Sequence, residues 1–91
     1  MIKPYRSTAV FDETTLPAAL RREHSAGVWG VIRVIEGSLR FQLAAGGEER
    51  ILTPDQPGLV HPEQVHRVEP IGRMRIQVDF YDRPPDLDAD G

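Results

Sequence analysis

Two short segments with strictly alternating polarity constrain the fold of this chain more than any other feature. Residues 38–43 (SLRFQL) place an apolar side chain at every second position, and residues 74–80 (MRIQVDF) do the same. Successive side chains of a β-strand point to opposite faces of the sheet, so this period predicts strands with one dry face. Residues 28–36 are rich in β-branched side chains, which also favour a strand.

Glycine and proline interrupt these segments at short intervals. The 91-residue chain has eight of each, too many for long helices. Gly37 and Ser38 predict a tight turn between two strands. Gly46 and Gly47 supply the positive backbone angles that a hairpin turn needs. Residues 71–72 predict a further turn before the last strand.

The rest of the chain completes an all-β pattern. Further strands are predicted at residues 5–11, 49–52, 59–60 and 65–69. Residues 16–22 are compatible with either a strand or a single helical turn. Short strands separated by frequent turn signals are typical of a sandwich or barrel. We predict one all-β domain over residues 1–83 and a disordered acidic tail over residues 84–91.

The composition excludes several classes of function. The chain contains no cysteine, so any metal must be held by nitrogen and oxygen ligands. Eleven basic and fourteen acidic residues give a net charge of −3, and the arginines are scattered, which argues against nucleic acid as a partner. No apolar run approaches the roughly 20 residues of a membrane span, and the first residues lack the apolar core of a signal peptide. We expect a cytoplasmic protein with no membrane partner.

The histidines are the first candidates for chemistry. His24 and His66 stand beside strands that could be neighbours in the sheet, although they are far apart in the chain. Neutral imidazole nitrogens bind divalent cations when an oxygen ligand completes the site. Asp79, on the polar face of the last strand, is the best carboxylate candidate. His61 precedes Pro62, which holds its backbone extended, and we expect it outside the site.

Charged residues within strands leave two possibilities open. Arg33 lies in mid-strand between apolar residues, and Arg75 shares the polar face of the last strand with Asp79. Such a face points either to solvent or into the wet interior of a barrel. Inside a barrel, Arg33 could clamp an anionic ligand through its planar guanidinium group. Trp29 either packs in the core or forms a wall of the same pocket.

A combination of motifs resembles a known family. Residues 27–41 (GVWGVIRVIEGSLRF) form a glycine-bounded strand that closes in a Glu-Gly pair, and residues 57–81 (PGLVHPEQVHRVEPIGRMRIQVDFY) contain Pro-x-x-x-His. Together they resemble the two cupin motifs. More narrowly, residues 5–82 are similar to small cupin-like domains associated with tellurite resistance, which occur alone or fused ahead of a methyltransferase.

The resemblance implies a single cupin-like jelly-roll or β-barrel domain whose mouth gathers His24, His66 and Asp79. It implies a divalent metal as cofactor, and zinc is the easiest fit for nitrogen and carboxylate ligands. Ala26 and Gly30 stand near two positions where enzymatic cupins carry metal ligands. The ligand set of those enzymes is therefore incomplete in this chain.

The predicted function is binding of a divalent metal, a small anionic ligand or both, in tellurite or metalloid tolerance. Arg33, Arg75 and Trp29 are the predicted residues of the ligand pocket. One alternative is a metal-dependent cupin enzyme of the dioxygenase or isomerase type, for which no catalytic residue is predicted. The other is a non-catalytic interaction module without a ligand. We expect a homodimer in either setting, because the core is small and exposed strand edges favour pairing.

Overall fold

The computed structural model describes residues 3–21, 27–44 and 47–85, except for the side chains of residues 19 and 21. The elements in these ranges are β1 (Arg6–Ser7), β2 (Phe11–Asp12), α1 (Ala18–Arg21), β3 (Trp29–Leu43), β4 (Glu49–Leu52), β5 (Gly58–Val60) and β6 (His66–Tyr81). All the strands belong to one antiparallel sheet. The predicted all-β fold is confirmed. Most of the predicted tail, residues 86–91, lies outside the described residues.

The two long strands β3 and β6 form a central ribbon. They pair from Trp29 opposite Tyr81 to Leu43 opposite His66. The short strands β1 and β2 pair with the other edge of β6, and β4 and β5 pair with the other edge of β3. Within the described strands β4 has a partner on one side only, which makes it a sheet edge. The homodimer expected from such edges stays a prediction.

β3 and β6 are continuous where the sequence predicts turns at Gly37 and at residues 71–72. Both halves of β3 pair with β6, and the register shifts between Val34 and Ser38. Gly37 has a φ angle of 82° and Gly72, on the facing strand, has 59°. The two predicted turns are wrong because these glycines form an irregularity inside a paired ribbon, where they bend the strands without reversing them.

This β-bulge changes which residues of β3 face the interior. Before it the buried core residues are Ile32 and Val34, and after it they are Leu39 and Phe41, so the inward positions change from even to odd numbers. The bulge therefore lets both halves of the ribbon bury their apolar face against one core. That core consists of Leu16, Ile32, Val34, Leu39, Phe41, Leu52, Val60, Val68, Met74, Ile76 and Val78.

The chain before the ribbon covers one side of the core. The predicted strand at residues 5–11 is present only at its ends, as β1 and the start of β2. Of the two possibilities for residues 16–22, the structure has the helical turn, α1. A side-chain oxygen of Glu13 accepts a hydrogen bond of 3.1 Å from the backbone N–H of Met74, which lies beside the bulge. The contact gives the Met74 N–H a hydrogen-bond partner at the irregular part of the ribbon, where regular pairing between the strands is interrupted.

Three of the shorter predicted elements have clear outcomes. The strand at residues 49–52 is confirmed as β4, and the one at 59–60 is confirmed as part of β5. Gly47 has the predicted positive φ angle, 65°, between β3 and β4, whereas Gly46 lies outside the described residues. None of the helices in the described ranges is long and apolar enough to cross a membrane.

Substitution of the two ribbon glycines tests the bulge. A Cβ atom on Gly37 would collide with the carbonyl oxygen of Arg73 and lie 3.0 Å from Cα of Met74, whereas a Cβ on Gly72 would meet nothing within 4 Å. Both changes force alanine into a positive φ angle, so Gly72→Ala is the matched control. We expect Gly37→Ala to lower the free energy of unfolding by about 3 kcal/mol and Gly72→Ala by about 1 kcal/mol.

The measurement is urea denaturation of both variants and the parent protein. Equal losses for the two variants would show that the close approach at Gly37 does not hold in solution.

Candidate functional site

A cavity of about 130 Å³ lies among the inward side chains of the sheet. Its apolar walls include Leu20 from α1, Ile32 from β3, Val60 from β5, and Ile76 and Val78 from β6. Because these residues come from both strands of the ribbon and from shorter elements on either side, the cavity forms only when the sheet is assembled. It is concave, only partly open and lined mainly by apolar side chains, as small-ligand sites usually are.

His66 places an ionisable side chain at the wall of this cavity. It is the first residue of β6 and is only 5% exposed. Its Nδ1 lies 2.9 Å from the carbonyl oxygen of Gln64, and its ring packs at a tilt against Phe41 with 5.7 Å between ring centroids. A carbonyl oxygen only accepts hydrogen bonds, so Nδ1 carries the proton in this contact.

Thr8 also lines the cavity, but its polar atoms are engaged by the sheet. Its hydroxyl donates to the carbonyl of Ala9 at 2.7 Å and accepts from the N–H of Val78 at 3.1 Å. Its backbone N–H donates to the carbonyl of Val78. Thr8 therefore connects the segment between β1 and β2 to β6. Because its hydroxyl already donates and accepts within the protein, it offers little hydrogen bonding to a ligand in the cavity.

Asp79 and Arg33 form an ion pair on the opposite face of the sheet. Arg33 Nε lies 2.5 Å from Asp79 Oδ2, and Ser7 donates a hydrogen bond of 2.6 Å to Asp79 Oδ1. Gln77 accepts a further hydrogen bond from Arg33 and donates to the carbonyl of Thr8. The Asp79 side chain is 7% exposed and that of Arg33 is 45% exposed. Solvent around Arg33 therefore weakens the electrostatic attraction between the two charges.

The surroundings of Asp79 lower its pKa. Burial by itself would raise the pKa of this carboxyl group, but hydrogen bonds from Arg33 and Ser7 and the charge of Arg33 together outweigh burial. The same carboxylate acts on Tyr81, whose pKa is raised by burial and then by the negative charge of Asp79. Asp79 is therefore an ionised structural partner of Arg33 at neutral pH.

Trp29 and Arg75, two other predicted pocket residues, also lie away from the cavity. The ring of Trp29 is tilted against that of His61, with 4.7 Å between centroids. Arg75 is largely exposed and lies 3.6 Å from the carboxylate of Glu36. His61 is not among the described residues that line the cavity.

The structure thus separates the predicted site residues into two groups. Asp79, Arg33, Arg75 and Trp29 occupy odd-numbered positions that point away from the core, and His66 points inward. The reason is the two-residue period of the strands, since neighbours such as Val78 and Asp79 face opposite sides of the sheet. The structure does not bring Asp79 to His66.

His24, the other predicted metal ligand, lies outside the described residues. In the chain it stands between Leu20 and Val28, both of which line the cavity. Within the described ranges, no group of three or more histidine, aspartate or glutamate side chains is close enough to hold a metal ion. A metal site that includes His24 and His66 stays a prediction.

Some of the cavity residues have no sequence signal that marks them as part of a cavity. Thr8, Leu20 and Val60 come from short segments without a period, and nothing local marks them as neighbours. The alternation in residues 74–80 does identify part of the cavity wall, because it places Ile76 on the apolar face of its strand.

The fold and this cavity define the class of protein: a small all-β domain with an apolar cavity inside its sheet. The family profile of the TehB-like domain matches residues 6–78. The chain belongs to the TehB-like domain family, so the family resemblance drawn from the sequence is confirmed, whereas its cupin-like character stays a prediction. No curated protein sequence matches the chain.

Two solved structures are similar to this one. The crystal structure of TehB from Haemophilus influenzae superposes with a TM-score of 0.77 and 30% sequence identity over 88% of this chain. This chain spans only 31% of the length of that protein. The crystal structure of a protein from E. coli has a TM-score of 0.79 and covers 94% of this chain and 87% of its own length. At 21% identity, this second likeness shows the fold alone.

The Asp79 ion pair makes a prediction about stability and pH. A carboxyl group whose pKa is lowered by folding stabilises the protein above its unfolded pKa of about 3.9, and that stabilisation is lost as the pH falls further. We expect Asp79→Asn to reduce the free energy of unfolding at pH 7 by roughly 1–2 kcal/mol. We also expect the variant to lose less stability than the parent protein between neutral pH and acid.

The measurement is urea denaturation of both proteins at a series of pH values. Asp12, whose pKa is lowered to about 2 chiefly by hydrogen bonds from Thr14, is present in both proteins, so its contribution cancels. Asp55→Asn, in an exposed turn, is the control. Parallel pH profiles for the parent and Asp79→Asn would contradict a lowered pKa at Asp79.

Proposed function

We propose that this domain binds a small ligand in its interior cavity and acts in tellurite or metalloid tolerance. The observation that carries the proposal is the position of His66, a buried ionisable side chain at the wall of an otherwise largely apolar cavity. Enclosed apolar pockets with few polar groups are the usual form of small-ligand sites. Membership of the TehB-like domain family and the similarity to TehB support the physiological setting. The cytoplasmic location expected from the sequence belongs to the same proposal.

A small anionic ligand has less support than an uncharged one. Binding an anion in an apolar interior requires a cation to offset the loss of hydration. Arg33 and Arg75, the cations predicted for that role, lie on the outer face and pair with Asp79 and Glu36. An anion that approaches these arginines would have to compete with carboxylates already in place.

A divalent cation is the second candidate ligand. It is favoured by the burial of His66 at the cavity wall and by the hydrogen bond that fixes the orientation of its ring, because metal-ligating histidines are commonly held in this way. His24 would supply a second nitrogen, and zinc suits such a ligand set. Asp79 is a poor third ligand, because it lies on the other face of the sheet and is held by Arg33.

Zinc titration tests the second candidate. If zinc is the ligand, His24→Ala and His66→Ala should each abolish stoichiometric zinc binding in isothermal titration calorimetry, because each variant removes one of two imidazole ligands. His61→Ala removes an exposed histidine that packs on Trp29 and should bind zinc as the parent does. Circular dichroism checks that the β fold is retained. Zinc binding that is unchanged in all three variants would rule out this ligand set.

A cavity-filling variant tests the main proposal. A Cβ atom on Gly30, which lines the cavity, would lie 3.8 Å from Cβ of Val60 and 3.9 Å from the carbonyl oxygen of Asp79, both ordinary contacts, and the two further methyl groups of Gly30→Val add volume at the cavity wall. Gly27 is exposed and a Cβ there would meet nothing within 4 Å, which makes Gly27→Val the matched control. We expect cells that express the parent chain or Gly27→Val to grow at higher tellurite concentrations than cells that express Gly30→Val. The same tolerance with all three proteins would contradict the proposal.

A further inference from the structure

We infer that the cavity is selective for a small, uncharged and mostly apolar molecule of about the size of benzene, and that it excludes oxyanions and hydrated metal ions. This inference rests on the proposed function, because it names the ligand class of the same cavity. Three properties of the cavity support it. They are its volume, the absence of Lys, Arg, Asp and Glu from its described wall, and the hydrogen bonds that Thr8 and His66 in this wall already form within the protein.

The volume sets the size of the ligand. A cavity of about 130 Å³ is close to the roughly 150 Å³ of apolar protein cavities that bind benzene or xenon. A larger organic molecule would have to displace wall side chains such as Ile32 and Val60 from the packed core. The ligand is therefore limited to a few non-hydrogen atoms.

The charge of the wall sets the polarity of the ligand. Among the described residues that line the cavity there is no lysine, arginine, aspartate or glutamate. A bare ion in such a place loses its hydration without gaining an opposite charge, which costs several kcal/mol or more. The nearest strong ion pair, between Arg33 and Asp79, is on the other face of the sheet and cannot offset that cost.

The remaining polar atoms limit how many hydrogen bonds a ligand can form. The hydroxyl of Thr8 already donates to Ala9 and accepts from Val78, and Nδ1 of His66 already donates to Gln64. A ligand with several polar groups would leave them unpaired in a dry cavity, at about 1–3 kcal/mol for each group. A compact apolar molecule avoids this cost and gains the dispersion contacts that an empty cavity lacks.

Titrations followed by nuclear magnetic resonance of the backbone amides test the inference. The probes are benzene, sodium tellurite and zinc chloride, each added to the full chain. We expect benzene to bind saturably and to shift the amides of Ile32, Val60 and Val78, and we expect neither tellurite nor zinc to do so at the same concentrations. Gly30→Val should weaken benzene binding by at least about tenfold, which is 1.4 kcal/mol, and Gly27→Val should leave it unchanged.

Failure of benzene to bind, or shifts of the same amides by tellurite or zinc at lower concentrations, would overturn the inference. So would equal affinity for benzene in Gly30→Val and the parent, provided that thermal unfolding shows both variants to be folded. The tolerance assay separates this result from the proposed function. If Gly30→Val abolishes tolerance while benzene fails to bind, the cavity has a function but its ligand is of another class. If benzene binds while tolerance does not depend on Gly30, the ligand class stands and the proposed function fails.

Discussion

The pairing of β3 with β6 is the interaction on which the rest of the structure depends. These two strands supply most of the core, and the shorter strands attach to their outer edges. In a regular strand of this length, either the even-numbered or the odd-numbered side chains would point to the core from one end to the other. The bulge at Gly37 shifts this alternation in β3, so both Val34 and Leu39 reach the same core although they are five positions apart, an odd difference that would put them on opposite faces of a regular strand.

The two faces of the ribbon have different chemistry as a consequence. Within the described residues, the inner face of the ribbon is apolar except for His66, and together with residues outside the ribbon such as Thr8 and Leu20 it lines the cavity. The outer face carries the ion pair of Arg33 with Asp79, which is stabilised by neighbours on two strands. Because the ion pair lies on the outer face, the described wall of the cavity offers no Lys, Arg, Asp or Glu side chain to balance the charge of an ion. This separation is the physical basis for assigning the cavity to a small uncharged molecule.

The local sequence predicts strand segments better than it predicts their connections. The alternation in residues 74–80 identifies the inward face of β6, and the predicted strand at residues 49–52 is present as β4. Gly37 and Gly72 carry the positive φ angles typical of turns, yet the chain continues in the same strand at both positions. A glycine in this conformation permits either a reversal or a bulge, and only the pairing of the flanking strands decides between them.

By itself the sequence determined the all-β class and the family, and it named His66 as a candidate site residue, because period, composition and motif are properties of neighbouring residues. Only the tertiary structure decided that His66 and Asp79 lie on opposite faces, and that Leu20 and Val60 share a cavity wall. From the sequence, Asp79 is the carboxylate candidate to join His24 and His66 in a metal site. Its partner in the structure is Arg33, because antiparallel register places the two strands side by side with both side chains on the outer face. Register between distant segments is set by the burial of the whole core, which no short stretch of sequence contains.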